Sequence, residues 1–564
     1  MSLCLVLTLF VLAGILRASQ TPPKIPADRA PLTAKEIADG YRGGEIIVKP
    51  RTGVSPDSLD TAEAGEGYAL LKKLSSLSGM RVLEIPAGVS VQDAISHLQS
   101  TGRYEFAELN RIHRVKATPN DTYFSQQWSL KNTGSTGGKS GADIKAVSGW
   151  DIQHDASSVI VAVIDTGIRL THPDLSSNLW TNTGEIAGNG IDDDHNGYID
   201  DVHGINATVS AYTAAGGSPS DDNGHGTHLA GIIGASGNNG VGISGVAWRV
   251  QIMPLKAAGA DGRSTVSDEL ECIQYAIDHH ASIINASYGQ EVTGSGFSQA
   301  EYYAMQSAQH AGIIVVAAAG NSSANIDLFR DYPACYALDN VIAVGSSADL
   351  DDASLFSNYG SGTCELFAPG ESILSLYNGA DTGTNAYAIL SGTSMAAPHV
   401  VGVLALLKAR FPSDAYRQLI NRLLRGVDPI AALADKAQTG GRLSLYGALS
   451  TTDNRPFNDD FASRAHLQGA NVSVRSSNQW GSVETGEPQH AGIASYASLW
   501  WDWTAPTNGQ VTLDSSGGAF DAGVAVYTGD TLSTLTPVAG AYDTTTSNHT
   551  GRLSFAALAG TSYR

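Results

Sequence analysis

The strings Val163-Ile-Asp165-Thr-Gly167, Asn223-Gly-His225-Gly-Thr-His228 and Ser391-Gly-Thr-Ser394-Met-Ala-Ala-Pro398 hold the residue types of nucleophilic acyl transfer, in the chain order Asp, His, Ser. A serine hydroxyl is a poor nucleophile until an imidazole accepts its proton, and a carboxylate must fix that imidazole's tautomer. Taken singly, a strand-end Asp or a Gly-flanked His says little. Ser394 opens a helical stretch through Val400, Leu404 and Leu407, so the positive end of a helix dipole lies beside it. Pro398 lacks the N–H that would return to the Ser394 carbonyl, which shapes that first turn. A fourth string, Ala317-Ala-Ala-Gly320-Asn321, ends in an amide donor. Asn321 serves either as a stabiliser of developing negative charge or as a simple turn cap.

These residues need a frame. Val159 to Ile164 and Ile313 to Val316 are wholly apolar, as strands buried on both faces of a parallel sheet must be. Helical stretches alternate with such runs from Thr118-Pro-Asn-Asp121 to about Ser450. Open parallel sheets place ligands beyond the carboxyl ends of their strands, and Asp165 and Asn321 stand there. Upstream, the pattern predicts a strand over Glu45 to Lys49, a helix over Tyr68 to Leu77 on the spacing of Leu70, Leu71 and Leu74, and a strand over Met80 to Ile85. A second helix over Val91 to Gln99 and a strand over Phe106 to Val115 complete a small α+β unit. After Asp453-Asn-Arg-Pro456, short strands over Leu499 to Thr504, Gln510 to Asp514 and Val524 to Tyr527 predict an antiparallel β-sandwich. The expected fold class is therefore α/β: a parallel sheet flanked by helices, between an α+β unit and a β-sandwich.

Together, the order and context of these strings resemble the subtilisin family over about residues 118 to 450. The resemblance implies a secreted serine endopeptidase acting on protein or peptide substrates, with Asp165, His225 and Ser394 as catalytic triad. It implies that the Asn321 amide and the Ser394 N–H donate to the oxyanion. Ser287-Tyr288-Gly289 and Gly259-Ala260-Asp261-Gly262 resemble the two substrate-lining segments, with Gly320 beside them, and would hold an extended peptide by backbone pairing. Asp331, before Tyr332-Pro333-Ala334, falls near the base of the primary specificity pocket. There it would favour Lys or Arg; otherwise it is a solvated loop carboxylate. Cys335 and Cys364 fall on neighbouring segments of the family, which implies a disulfide, with two buried thiols as the alternative. Cys272, in a helical run with Ile273 and Ala276, reads as core.

Flanking segments carry looser resemblances. Residues 20 to 117 resemble a propeptide, with an inhibitor-like unit at about 44 to 115 that would act as an intramolecular inhibitor until self-cleavage near Lys116 to Thr118. Residues 454 to 564 resemble the bacterial pre-peptidase C-terminal domain, on Asn458-Asp-Asp-Phe461, Ser498-Leu-Trp-Trp-Asp-Trp503 and Val526-Tyr-Thr-Gly529. That family would continue beyond Ser562-Tyr563-Arg564 with a closing strand, so an incomplete domain with an open strand edge is expected. Trp500, Trp501 and Trp503 form either a binding face or one side of a core.

Calcium is the implied cofactor. Asp192-Asp-Asp194-His-Asn196-Gly197-Tyr-Ile-Asp200-Asp201 has oxygen ligands at alternating positions with Gly at the sharp turn. His203 stands where an EF-hand would have Glu, so the run is either a different calcium loop or a solvated acidic loop. Asp121 sits in a string resembling the start of the mature enzyme in thermitase-type members, where the Asp helps bind calcium. Asp174, Asn239 and the Val241 and Ile243 carbonyls resemble the family's strong calcium site.

Bulk composition fits this reading. Acidic residues outnumber basic ones 55 to 34, for a formal charge of -21, which argues against nucleic acid or an anionic membrane as partner. Leu3 to Ile15 is an apolar run followed by Arg17, Ala18 and Ser19, which predicts a signal peptide over residues 1–19, and no later stretch predicts a membrane span. A monomer is expected. Two other classes stand beside the protease: a catalytically silent scaffold binding through its C-terminal region, and an α/β-hydrolase. The last fails on triad order and because Ala396, not Gly, stands two residues after Ser394.

Overall fold

The computed structural model describes residues 40–112 and 118–564, with 32–33 and 35–36, apart from 136, 290–295, 380–385, 494–495, 516–521 and 543–550. The expected signal peptide and most of the self-cleavage segment lie outside the described residues. The chain forms two compact units, Met1–Val115 and Lys116–Arg564.

In the first unit, β1 (Tyr41–Pro50), β2 (Ala69–Leu74), β3 (Met80–Glu84) and β4 (Tyr104–Arg111) make an antiparallel sheet in the order β2-β3-β1-β4. Helices α1 (Pro56–Gly65) and α2 (Val91–Ser100) supply Leu59, Ala94 and Leu98 to a core shared with Ile46, Val48 and Leu83. The helix expected over Tyr68 to Leu77 is instead strand β2, and the helix lies earlier. Pro56 at the first turn preorganises α1, whereas the leucines of β2 are held by pairing with β3 and left largely uncovered, Leu70 being 41% exposed. Backbone pairing outweighs an apolar spacing that finds no surface to cover.

The second unit is built on a nine-stranded sheet in the order β14-β15-β11-β10-β9-β8-β5-β7-β6. Its strands are β5 (Asp155–Asp165), β6 (Ile205–Asn206), β7 (Arg249–Lys256), β8 (Ile283–Ala286), β9 (Ile314–Ala318), β10 (Val341–Ser347), β11 (Leu366–Pro369), β14 (Asp428–Pro429) and β15 (Gly441–Arg442). All neighbours run parallel except β14 and β15. The expected subtilisin-like α/β class holds. Two helices matter for the site: α4 (His225–Gly234), and α7 (Thr393–Arg410), whose residues from Met395 to Leu407 are all buried across the sheet. A helix apolar all round belongs inside, and its first turn emerges at the carboxyl ends of the strands. Three shorter helices come before α7: α3 (Ala146–Trp150), α5 (Val266–Asp278) and α6 (Gln299–His310). The hairpin β12 (Ile373–Leu376) and β13 (Tyr387–Leu390) packs on α4.

The C-terminal region carries β16 (Ala465–Leu467) paired with β17 (Trp501–Thr504), and the pairs β18 (Gly509–Asp514) with β21 (Arg552–Ala557) and β19 (Val524–Thr528) with β20 (Thr536–Ala541). Ser562–Tyr563, strand β22, pairs with β17, and Arg564 exchanges both backbone hydrogen bonds with Tyr527. The tryptophans divide: Trp500 packs in a core with Phe461 and Tyr527, while Trp503 lies against Tyr563 and donates to the Gly469 carbonyl at 2.7 Å.

The disulfide expected between Cys335 and Cys364 is absent; both are buried free thiols, as is Cys272. Each sulfur has its own polar neighbours. Cys335 Sγ accepts from the Asp331 N–H at 3.3 Å, and Cys364 Sγ points to the Leu366 carbonyl at 3.5 Å. Burial raises all three thiols above their ordinary value. Accordingly, a disulfide-exchange reagent should label none of the three in the folded protein and all three in denaturant; rapid native labelling of Cys335 or Cys364 would contradict the packing.

Candidate active site

Asp165 is the last residue of β5, and His225 is the first of α4, so the sheet edge and a helix start bring them together. His225 Nδ1 donates to both Asp165 oxygens, at 2.8 and 2.9 Å. Asp165 is buried at 6% exposure and also accepts the Thr166 N–H at 2.8 Å, which leaves it little freedom. Burial alone would lower the His225 imidazolium, but the Asp165 carboxylate overrides it, so the pKa lies above the ordinary 6.5. His228, one turn on, has no such anion, and burial holds it neutral, down to about 3.

Ser394 stands at the second position of α7. Its Oγ donates to the Ser287 carbonyl at 3.3 Å and makes no hydrogen bond to His225. Hydrogen bonds between a nucleophile and its base commonly tighten only with substrate bound. The Asn321 side chain is oriented by its own oxygen, which accepts from the Thr393 N–H at 2.8 Å and Thr393 Oγ1 at 3.0 Å. Its amide nitrogen is thereby turned toward Gly392. A Cβ built on Gly392 would sit 3.6 Å from both Asn321 Nδ2 and the Ser394 N–H nitrogen. The space beside Gly392 is thus flanked by two donors, at the open end of a helix dipole.

Of the expected groove segments, one touches Ser394 through the Ser287 carbonyl and the other touches Asn223, two residues before His225, through the Ala260 carbonyl. Ser287 to Gly289 continues from β8, and Gly259 to Gly262 forms a tight turn after β7, closed by Gly262 N–H to Gly259 O at 2.9 Å. Tyr288 offers its backbone only, because its ring packs into the core. Asp331 is half-buried between two glycines. An added Cβ would meet its carboxylate oxygens at 2.9 Å from Gly289 and 2.2 Å from Gly320, and Asn358 Nδ2 donates to it at 3.3 Å. A side chain at either glycine would have to displace that carboxylate.

Residues 156–448 match the model of the subtilase family, peptidase S8. The chain is similar to the thermophilic serine proteinase of Bacillus sp. (strain AK1), 31% identical over 430 residues, covering 75% of this chain and 91% of that protein. It is 37% identical over 294 residues to thermitase of Thermoactinomyces vulgaris, covering 52% and 86%. It is 34% identical over 331 residues to an extracellular protease of Xanthomonas campestris pv. campestris, covering 56% and 54%.

The chain belongs to the subtilase family. It is a serine endopeptidase hydrolase, and no helix among its described residues is long and apolar enough to cross a membrane.

In this subtilase the expected metal residues separate into two places. Asp121, Asp174, Asn239, Val241 and Ile243 come together: Asp121 accepts the Asn238 and Asn239 N–H groups at 2.8 and 3.2 Å, and Asp174 accepts Asn239 Nδ2 and the Ile243 N–H at 2.8 and 2.9 Å. Both carboxylates are buried, and among the described residues neither pairs with a basic side chain. Burial, with the Asp121 charge nearby, pushes Asp174 up to about 7 against its hydrogen bonds. In the acidic loop the expected residues do not all converge. Asp194 meets Glu185 and Asp201, with ligand atoms within 4.8 Å of one another. Asp192 instead accepts the Asn196 and Gly197 N–H groups, and Asp200 turns away to accept from Gly188, Asn189 and Gly190. Asn196 donates to Asp194 and Asp201, lending its amide rather than its oxygen.

Several positioning residues escaped the sequence reading. Asp221 accepts from Thr166 Oγ1, the Asn223 and Gly224 N–H groups and Thr227 Oγ1, tying the end of β5 to the start of α4. Asn358, 2% exposed, clamps the Asn321 segment: it donates to the Ala319 and Gly320 carbonyls and accepts from the Ser322 and Ala324 N–H groups. No local pattern marks it, because its partners are some 35 residues upstream, as from Asn358 to Ala324 at 34. Replacing Asn358 with Ala should lower kcat about 10-fold to 100-fold, with a smaller change in KM, since a shift of the Asn321 amide is felt in the transition state. Steady-state kinetics below the variant's melting temperature would check this; an unchanged kcat would show that the segment holds itself.

Proposed function

We propose that Asp165, His225 and Ser394 form the catalytic triad of a secreted endopeptidase made as a zymogen. The observation carrying this reading is the convergence of an imidazole held by both oxygens of a buried Asp with two donors bracketing the space beside Gly392. His225 Nε2 takes the Ser394 proton as Oγ attacks the substrate carbonyl. The new oxyanion lies in the space flanked by Asn321 Nδ2 and the Ser394 N–H. His225 then returns the proton to the leaving amine, and water releases the acyl group by the same steps reversed. An extended substrate pairs with Ser287–Gly289 and Gly259–Gly262, and the Asp331 carboxylate at the pocket base selects Lys or Arg. The inhibitor-like unit before residue 118 would act as an intramolecular inhibitor, and self-cleavage would release it. Similarity to an extracellular protease supports export.

Ser394→Ala should leave the chain unprocessed and inactive, whereas the parent shortens by self-cleavage, as mass spectrometry would record. The base form of His225 is the neutral one, so kcat/KM should fall as pH drops through a value above 6.5. Asp165→Asn removes the cause of the upward shift and leaves burial, so that limb should move to lower pH while kcat drops by about 10⁴-fold. A limb that stays put in Asp165→Asn would rule out His225 as the base.

Calcium belongs to the same proposal. Asp121, Asp174 and Asn239 with the Val241 and Ile243 carbonyls would hold one ion, and Glu185, Asp194 and Asp201 would hold another. The donor sets fit: they are hard oxygens, and in the first set two buried carboxylates lack any cation. A bound ion supplies that charge, and the chemistry at Ser394 does not pass through it. Excess chelator should lower the melting temperature markedly, and Asp174→Asn should remove much of the chelator-sensitive part; equal melting curves with and without chelator would refute both sites.

A further inference from the structure

Arg475 lies well beyond the residues of the catalytic sheet, in an irregular segment leading into the C-terminal strands. Its side chain nonetheless reaches into the catalytic domain, where it is only 10% exposed. One face of the guanidinium meets Glu365, with Nη2 at 2.7 Å and Nε at 3.2 Å from the same oxygen. Glu365 directly precedes β11, and its other oxygen accepts the Ala343 N–H of β10 at 2.7 Å. The remaining nitrogen, Nη1, donates to the backbone carbonyls of Ala334, at 3.1 Å, and Tyr336. The flanking backbone is anchored as well: Arg475 N–H donates to the Gly362 carbonyl, and Gln438 Nε2 donates to the Arg475 carbonyl at 3.1 Å.

Ala334 and Tyr336 end the turn that begins at Asp331. That turn is closed by Cys335 N–H to the Asp331 carbonyl at 2.8 Å, and the Tyr336 hydroxyl fixes its far side by donating to Glu301 at 2.7 Å. Its near side is the Asp331 carboxylate wedged between Gly289 and Gly320. A guanidinium presents several donors in a rigid fork, so one group can hold two carbonyls and a carboxylate at fixed separations. A lysine has one donor centre and cannot span the set.

We propose that Arg475 is a positioning residue for substrate recognition: it couples the C-terminal region to the primary specificity pocket by fixing the Asp331–Tyr336 turn from behind. The proposal rests on reading Asp331 as the pocket base. It makes the chain up to Arg475 an integral part of the working enzyme, although the sheet, triad and oxyanion donors all lie upstream.

The test uses the full chain and peptides that differ only at the residue before the scissile bond. Arg475→Lys keeps a cation for Glu365 and loses the fork. KM for Lys and Arg peptides should rise about tenfold while kcat stays within about twofold, and Ser394 should react with a small fluorophosphonate at the parent's rate. Should Arg475→Lys fold poorly, the double variant Glu365→Gln/Arg475→Met removes the buried carboxylate along with its partner, and the same KM rise is expected. Unchanged KM in either folded variant overturns the proposal, as does a fall in kcat matching the loss of folded protein. Asp331→Ser, measured alongside, separates the two readings. If it abolishes the Lys and Arg preference while Arg475→Lys changes nothing, the pocket stands and the coupling fails; if it changes nothing, the pocket reading fails first. Mature active enzyme should also retain Arg475 by mass, and an active form ending before it with the parent's KM would refute the coupling.

Discussion

The burial of α7 is the constraint on which the site depends. From Met395 to Leu407 every side chain of this helix is inside, with strands on one side and α4 on the other. Its axis therefore cannot shift without opening core, and protein interiors tolerate few such voids. The first turn inherits that rigidity. Ser394 and its N–H are held by packing one turn away together with the bonds Ser394 exchanges with Ser287, and Thr393 uses the same turn to orient Asn321. Because the strands are parallel, the other half of the chemistry also ends at this rim: Asp165 closes β5, and Asn321 follows β9. One helix packed against one sheet thus brings together groups that are far apart along the chain.

A second constraint comes from charge. The molecule carries -21 formally, yet it buries many carboxylates, and each buried anion needs hydrogen bonds or a counter-charge. Glu63 has Arg81, Asp351 has Arg442, and Glu365 has Arg475. Asp165 has His225, a cation that comes and goes with pH. Asp121 and Asp174, like Glu269 and Glu301, have no basic side chain among the described residues and rest on hydrogen bonds. The same rule accounts for ordinary ion pairs and for a titrating pair at the rim, and it is the ground for proposing calcium beside Asp121 and Asp174.

What could be read from the sequence follows from how local each signal is. Asp165, His225, Ser394 and Asn321 stand in short strings at element ends, where a wholly apolar run stops and a Gly-rich turn begins, so pattern alone locates them. The strand β2 was misread as helix because an apolar spacing says nothing about which surface exists to receive it, and pairing with β3 decided the matter. In the acidic loop, alternation identified the run but not the direction of each side chain: a left-handed backbone at Asp200, φ 54°, turns that carboxylate toward the Gly188–Gly190 amides and leaves Asp201 facing inward. Asn358 and Arg475 were invisible for a different reason. Their partners are set by tertiary contact across tens of residues, and nothing in their own neighbourhoods announces it.

That last distinction bears on where this enzyme ends. Domain boundaries read from composition fall near Asp453, where the texture changes to short strands and turns. The physical boundary of the catalytic domain lies further on, because Glu365 is buried between β10 and the segment at Arg475, and Arg475 is the cation hydrogen-bonded to it. A buried carboxylate stripped of its partner costs several kcal/mol, of the order of 3–5, which is a large share of the stability of a typical domain. A catalytic domain cut at the compositional boundary would carry that penalty in its core and leave the carbonyls of Ala334 and Tyr336 without their shared donor. Selection for a stable sheet and selection for a fixed pocket therefore act on the same guanidinium, which is why a residue so far from Ser394 in sequence belongs to its chemistry.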